Sequence, residues 1–380
     1  TYSLPSGCYT TKSIQVVAAP VATGVSAICQ GGSAVFTGST PGAVWSSNAP
    51  AIASVNASGV VTASTTNSGV VTINYTLGST GCSASLPLTV NPAPAITGAA
   101  GVCVGSSTTL STSVSGGTWT SGNTIAATIG ATSGVVTGVN AANTTISYTT
   151  PAGCVTTRSL VVNALPGVIN GTASVCEGGV TSLFVASTAG VWSSSNPAIA
   201  SIDEAGEVTA VATSGTATIS YTIVSSGCTR TREVTVNPLP VFTSTGVTAC
   251  AGGGTLAMAA TPVGGLWSIN NLVVASINSS TGLVTGQVQG NATITYSSPA
   301  GCVATQVVSV NPLPNSIGGV ATVCEGFTTT LTNTTPGGLW STSDAGVADV
   351  DVTTGLVMGN TAGTAVITYT LGSGCYRTRI

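Results

Sequence analysis

The chain has 380 residues, of which 6 are basic, 9 acidic, none histidine and 4% aromatic. A net charge of −3 gives no basic surface for a phosphate backbone, which excludes nucleic-acid binding. Apolar runs of about six residues or fewer fall far short of the roughly 20 needed to span a bilayer, so this segment is expected not to insert in a membrane.

In chain order, residues 1–20 match the last twenty residues of a repeat, because Tyr2, Cys8 and Pro20 align with Tyr148, Cys154 and Pro166. Full repeats follow over 21–94, 95–166, 167–240 and 241–314, and 315–380 is a repeat lacking the end of its last strand. Five tryptophans mark them (Trp45, Trp119, Trp192, Trp267 and Trp340), spaced by 74, 73, 75 and 73 residues. Each is followed by a tyrosine (Tyr75, Tyr148, Tyr221, Tyr296, Tyr369) and then by Gly-Cys. Proline joints close the repeats, as in Asn91-Pro92-Ala93-Pro94 and Asn237-Pro238-Leu239-Pro240. A piece of one repeat in front and an unfinished one behind predict a window cut from a longer array.

Within 167–240 the period is two: Thr216-Ala-Thr-Ile-Ser-Tyr-Thr alternates small or polar with apolar side chains and is rich in β-branched residues. Turn signals such as Gly178-Gly179, Asn196-Pro197 and Ala205-Gly206 recur every eight to twelve residues. Seven strands fit, near 168–174, 181–187, 190–194, 199–202, 207–212, 216–223 and 228–236. The fold class is therefore all-β: a tandem array of small seven-stranded antiparallel sandwiches forming an extended rod.

Trp192-Ser-Ser-Ser-Asn-Pro-Ala-Ile-Ala-Ser-Ile, with Gly206-Glu-Val-Thr-Ala and Gly215-Thr-Ala-Thr-Ile-Ser-Tyr, resembles the bacterial immunoglobulin-like domains of group 2. Those modules build the stalks of intimin- and invasin-type adhesins, and the cysteine-bearing form with an Asn-Pro-Leu-Pro joint resembles arrays in long surface proteins of gliding-type bacteria. The resemblance implies an immunoglobulin-like sandwich in every repeat and a spacer or scaffold role.

Eleven cysteines predict an oxidising, extracellular setting. Cys29, Cys103, Cys176, Cys250 and Cys324 lie before the second strand of a repeat; Cys8, Cys82, Cys154, Cys228, Cys302 and Cys375 lie at the turn before its last strand. The Cys-Trp-Cys spacing imitates the antibody pattern and allows a bond inside one repeat, such as Cys176–Cys228. Strand direction argues otherwise. The two cysteine sites fall at opposite ends of a sandwich about 25 Å long, whereas a disulfide needs Cα atoms within about 7 Å. Stacked head to tail, neighbours would be stapled by Cys29–Cys154, Cys103–Cys228, Cys176–Cys302 and Cys250–Cys375, leaving Cys8, Cys82 and Cys324 to partners outside the segment. Free thiols and bonds to other chains complete the alternatives. Metal binding is a poor rival, with neither His nor Cys-x-x-Cys present.

Catalysis lacks material: no Ser/His/Asp or Cys/His set can be assembled, so no catalytic residue, metal or cofactor is expected. Asp203 and its counterparts Asn56, Asn278 and Asp351 read as turn-holding Asx residues, and Glu177 and Glu325 as caps of the turns beside their cysteines. The tryptophans read as core, not as sugar-stacking platforms. The expected function is a non-enzymatic stalk or filament component at the cell surface or in a secreted filament. Its partners are neighbouring repeats and, in a filament, identical chains. The alternative is an adhesive module binding a glycan or host protein, for which Arg230-Thr-Arg232 and Arg377-Thr-Arg379 are the charge clusters to examine.

Overall fold

The structure, a computed structural model, describes residues 1–187 and 189–380. Among the described residues there are strands, turns and bends but no helix, hence none long and apolar enough to cross a membrane. The chain divides into two compact units: one holds Thr1–Pro166 with Ile223–Thr229, the other Gly167–Thr222 with Arg230–Ile380.

In the first unit, Tyr2–Ser3 and Tyr9–Thr10 form a short hairpin, followed by two sandwiches over 22–91 and 96–163. The second sandwich shows the plan. Its strands are β1 (Ile96–Thr97), β2 (Gly101–Cys103), β3 (Ser107–Thr109), β4 (Ser111–Thr112), β5 (Thr118–Ser121), β6 (Ala127–Ile129), β7 (Val135–Gly138), β8 (Ala142–Thr149) and β9 (Val155–Asn163). One sheet has the order β2-β9-β8-β5 and faces β3-β7-β6 and the pair β1-β4.

Alternation decides which residues face inward. Thr144, Ile146 and Tyr148 of β8 and Leu160 and Val162 of β9 are buried, while the residues between them are at least partly exposed. Ile146, Tyr148, Leu160 and Val162 meet Val102, Leu110, Trp119, Ala127 and Val136 in a single core. The same arrangement recurs over 22–91, 170–237 and 241–311, and 317–379 keeps a reduced form of it, two three-stranded sheets without the parallel strand.

The first strand departs from the sequence reading. A single strand near 168–174 was expected in an all-antiparallel pairing, but the chain there forms two short strands, Asn170–Gly171 and Ser174–Cys176, in different sheets. The second of these runs parallel to the last strand, Ser174 to Cys176 opposite Thr235 to Asn237, as β2 runs parallel to β9. A glycine makes the crossing. Gly98 and Gly171 sit at φ +119° and +114°, and a Cβ at Gly98 would lie 2.8 Å from the Thr109 carbonyl oxygen. The strand is thereby broken, and each half completes a different sheet.

The break leaves carbonyls outside the ladders, and arginines of the last strand take them up. Arg158 donates from Nη1 to Ile96 O at 2.9 Å and from Nη2 to Gly98 O at 2.7 Å. Arg232 donates to Ile169 O and Arg379 to Ile317 O in the same way. Arg158→Met keeps the stem and removes both donors. The expected result is a loss of about 1–3 kcal/mol, seen as an earlier urea transition with unchanged slope.

Candidate functional site

Among the described residues no group of three or more His, Cys, Asp or Glu could hold a metal ion. The recurring features are instead the cysteines, the joints and the Trp–Tyr pairs.

Four of the five upstream cysteines end a strand parallel to the last strand, opposite the asparagine that opens the joint: Cys29 faces Asn91, Cys103 faces Asn163, Cys176 faces Asn237 and Cys250 faces Asn311, while Cys324 lies outside any strand. Each downstream cysteine follows a glycine in the turn before the last strand. Gly153 takes φ +83°, and Cys154 N–H donates to Thr150 Oγ1 at 3.0 Å while its carbonyl accepts from Thr150 N–H at 2.9 Å. That closed turn holds Cys154 1% exposed. Cys228, Cys302 and Cys375 are equally buried in their own turns.

The structure joins Cys29 to Cys154, Cys103 to Cys228, Cys176 to Cys302 and Cys250 to Cys375, with Cα atoms 5.6–5.7 Å apart. The first two bonds lie within the first compact unit and the other two within the second. Cys302 Sγ lies 3.9 Å from Asn237 O and Cys375 Sγ 3.9 Å from Asn311 O, so in the second unit each turn cysteine abuts the asparagine before a joint. Cys8, Cys82 and Cys324 carry free thiols, Cys8 and Cys324 exposed and Cys82 half-buried.

The residue after the upstream cysteine has a role the sequence reading missed. Gln30 Oε1 accepts from Ala93 N–H at 2.7 Å, and Glu177 Oε2 from Leu239 N–H at 3.5 Å. The Glu177 side chain therefore reaches the proline joint instead of capping its own turn. The backbone N–H groups of Gln30, Val104, Glu177 and Ala251 add bonds to the carbonyls of Asn91, Asn163, Asn237 and Asn311. Prolines bar these joints from extending the ladder, so these contacts fix where each joint departs.

The tryptophans lie against the mid-strand tyrosines. Ring centroids are 4.4 Å apart for Trp45–Tyr75, 4.6 Å for Trp119–Tyr148, 4.8 Å for Trp192–Tyr221, 4.5 Å for Trp267–Tyr296 and 4.7 Å for Trp340–Tyr369. Trp119, Trp267 and Trp340 are buried; Trp45 and Trp192 are half-buried and pack on their cores. Each tyrosine hydroxyl is satisfied. Tyr148 donates to Val114 O and accepts from Gly117 N–H, both at 2.7 Å, and Tyr221, Tyr296 and Tyr369 repeat the pattern.

The carboxylates mostly organise turns. Asp203 Oδ1 accepts from the N–H groups of Ala205 and Glu207 at 2.9 and 2.8 Å, and Asn56 and Asn278 make the corresponding turns. Asp351 is the most heavily bonded. The Thr354 N–H first, then the hydroxyls of Thr354 and Thr353 and the Thr353 N–H, hold its carboxyl well below its ordinary value of 3.8. A depressed folded-state pKa means stabilisation that is complete above the unfolded value and lost as pH falls towards the folded one. Thermal unfolding of the chain is therefore expected to show an acid-dependent component below about pH 4 that Asp351→Asn removes, because the amide oxygen accepts without titrating.

No family model and no curated sequence matches the chain. Among solved structures, it is similar to the C-terminal 282-residue fragment of intimin, solved with the intimin-binding domain of the translocated intimin receptor. Identity there is 16%, covering 40% of this chain and 67% of that one, at a TM-score of 0.31. The human desmocollin-1 ectodomain is 11% identical, covering 93% of this chain and 96% of that one, at 0.18. Domains 1–6 of the surface layer protein SbsC are 16% identical, covering 90% and 62%, at 0.21. The fold itself rests on the strand order and cores above, which are those of tandem immunoglobulin-like sandwiches.

Proposed function

We propose that this chain is a non-enzymatic structural segment of an extracellular bacterial surface protein, built from group 2 immunoglobulin-like modules over 21–94, 95–166, 167–240, 241–314 and 315–380. Residues 1–20 are then the closing strands of a preceding module. It acts as a stalk or filament component, stiffened by disulfides that tie each module to the next. The observation that carries this reading is the span of the four bonds. Each joins cysteines 125 or 126 residues apart, well beyond one repeat.

Several features support it. Disulfides persist in oxidising compartments. Stacked small sandwiches gain stability from their neighbours as well as from thin cores. With 4% charged residues the surface is insensitive to salt, and six basic residues give trypsin-like proteases few sites. The alternative of a directly adhesive module loses support at its named residues, because Arg232 and Arg379 are engaged on backbone carbonyls of their own sandwiches.

Negative-stain electron microscopy of the oxidised chain tests the proposal. Straight, beaded particles of constant width are expected; compact particles, or turnover of any substrate by the purified protein, would overturn it.

A further inference from the structure

The four disulfides decide which residues of this chain carry tension. Cys154, Cys228, Cys302 and Cys375 each stand immediately before a last strand. Cys29, Cys103, Cys176 and Cys250 each end a strand that runs parallel to one. From Cys154 the backbone passes through β9, the proline joint and the short strands Asn170–Gly171 and Ser174–Cys176, without a turn or a bend. From Cys302 it passes through Val303–Asn311 and the next joint, again without turn or bend as far as residue 317.

Two covalent paths result. One crosses sulfur from Cys29 to Cys154, follows the backbone to Cys176 and crosses again to Cys302. The other crosses from Cys103 to Cys228, follows the backbone to Cys250 and crosses to Cys375. Whatever lies between an upstream cysteine and the turn cysteine of its own sandwich hangs off both paths. Between Cys103 and Cys154 that is β3 to β8, with Trp119 and Tyr148; between Cys176 and Cys228 it includes Trp192 and Tyr221.

The paths are tied together where they pass. β2, which leads into Cys103, runs parallel to β9, which leads away from Cys154, with Gly101 to Cys103 opposite Val161 to Asn163. Ser174 to Cys176 lie in the same way opposite Thr235 to Asn237. Arg158, on the stretch after Cys154, holds the Ile96 and Gly98 carbonyls on the stretch before Cys103. Arg232, on the stretch after Cys228, holds the Ile169 carbonyl on the stretch before Cys176.

We infer that the oxidised chain is an inextensible, load-bearing tether, in which pulling is borne by last strands, joints and first strands while the sandwich cores are shielded and release no hidden length. A residue in a strand or a proline-rich joint already spans about 3.1–3.4 Å, against a limit of about 3.6 Å, so the on-path stretches have little length to give. The off-path strands and aromatic pairs are bypassed by covalent bonds, which hold at forces that separate hydrogen-bonded strands. The inference rests on the reading of the chain as a disulfide-linked structural segment and names the load that such a segment bears.

Optical-tweezers measurements on the oxidised 380-residue chain test it, with DNA handles clicked onto Ala164→p-azidophenylalanine and Ser316→p-azidophenylalanine, both exposed positions. Between the handles the shortest covalent route is 12 residues to Cys176, one disulfide, and 14 residues from Cys302, about 9–10 nm when taut. The expected trace stays within that length, retraces without hysteresis, and shows no step above about 2 nm, the length of six extended residues. Cys176→Ser with Cys302→Ser should instead lengthen by about 40 nm, because the 126-residue stretch that the bond closes re-enters the route. Should that variant not fold, the oxidised chain's own trace still decides. Larger steps in oxidised chain whose Cys176–Cys302 peptide is confirmed by non-reducing mapping would overturn the inference alone, since the paths would then be slack and the cores loaded. Lengthening by about 40 nm with that peptide missing would overturn the disulfide-linked reading as well.

Discussion

Replacing Cys103 and Cys228 together by serine should lower the melting temperature of the transition that contains residues 96–163 by at least about 10 °C, measured by differential scanning calorimetry. The bond closes a stretch of 125 residues. In the chain-entropy picture a loop of that size adds about 5 kcal/mol, and removal of native disulfides from small domains costs about 2–5 kcal/mol. For a domain of this size each 1 kcal/mol moves the midpoint by about 4–8 °C. The double replacement leaves no orphan thiol to re-pair, and both serines fit where sulfur was. The calorimetric trace should also lose cooperativity, because a covalent link between successive sandwiches couples their unfolding. An unchanged midpoint would mean that the bond holds nothing the cores do not already hold.

Trp119→Ala is the other large effect, with an expected loss of about 3–5 kcal/mol from the sandwich of β1 to β9. Trp119 is 4% exposed, stacks on Tyr148 at 4.6 Å, and belongs to a core whose other members are mostly Ala, Val, Leu and Ile. No other aromatic is near enough to fill the void. The loss should be local. Intrinsic fluorescence from the four remaining tryptophans should keep its native maximum at temperatures where hydrogen exchange shows residues 96–163 open. Tyr148→Phe offers a graded comparison. It keeps the ring but strands the Val114 carbonyl and the Gly117 N–H, for a loss of about 1–3 kcal/mol.

The period-two alternation and the recurrence of tryptophan, tyrosine and Gly-Cys were enough to read an all-β chain of repeated sandwiches, because burial on one face of a strand leaves its mark at every second residue. The broken first strand was not legible. Val168 to Ser174 alternates passably, and only the left-handed φ of Gly171 shows that the chain changes sheets there. The arginine contacts were not legible for a related reason. In a chain with six basic residues arginines look like surface features, whereas the partners of Arg158 and Arg232 are backbone carbonyls 60 or more residues away in sequence. The contacts of Gln30 and Glu177 with the joints span as many residues and are equally invisible to local patterns. Cysteine spacing left two pairings open because both obey the same intervals along the chain. The difference lies in which end of a sandwich each cysteine occupies, which follows from strand direction and not from spacing.

The central claim is that covalent bonds tie each sandwich to its successor. Peptide mapping of the oxidised chain without reduction tests it most directly. The account predicts cross-linked peptides joining Cys29 to Cys154, Cys103 to Cys228, Cys176 to Cys302 and Cys250 to Cys375. A peptide joining Cys103 to Cys154, or Cys176 to Cys228, would put the bonds inside single sandwiches and contradict it.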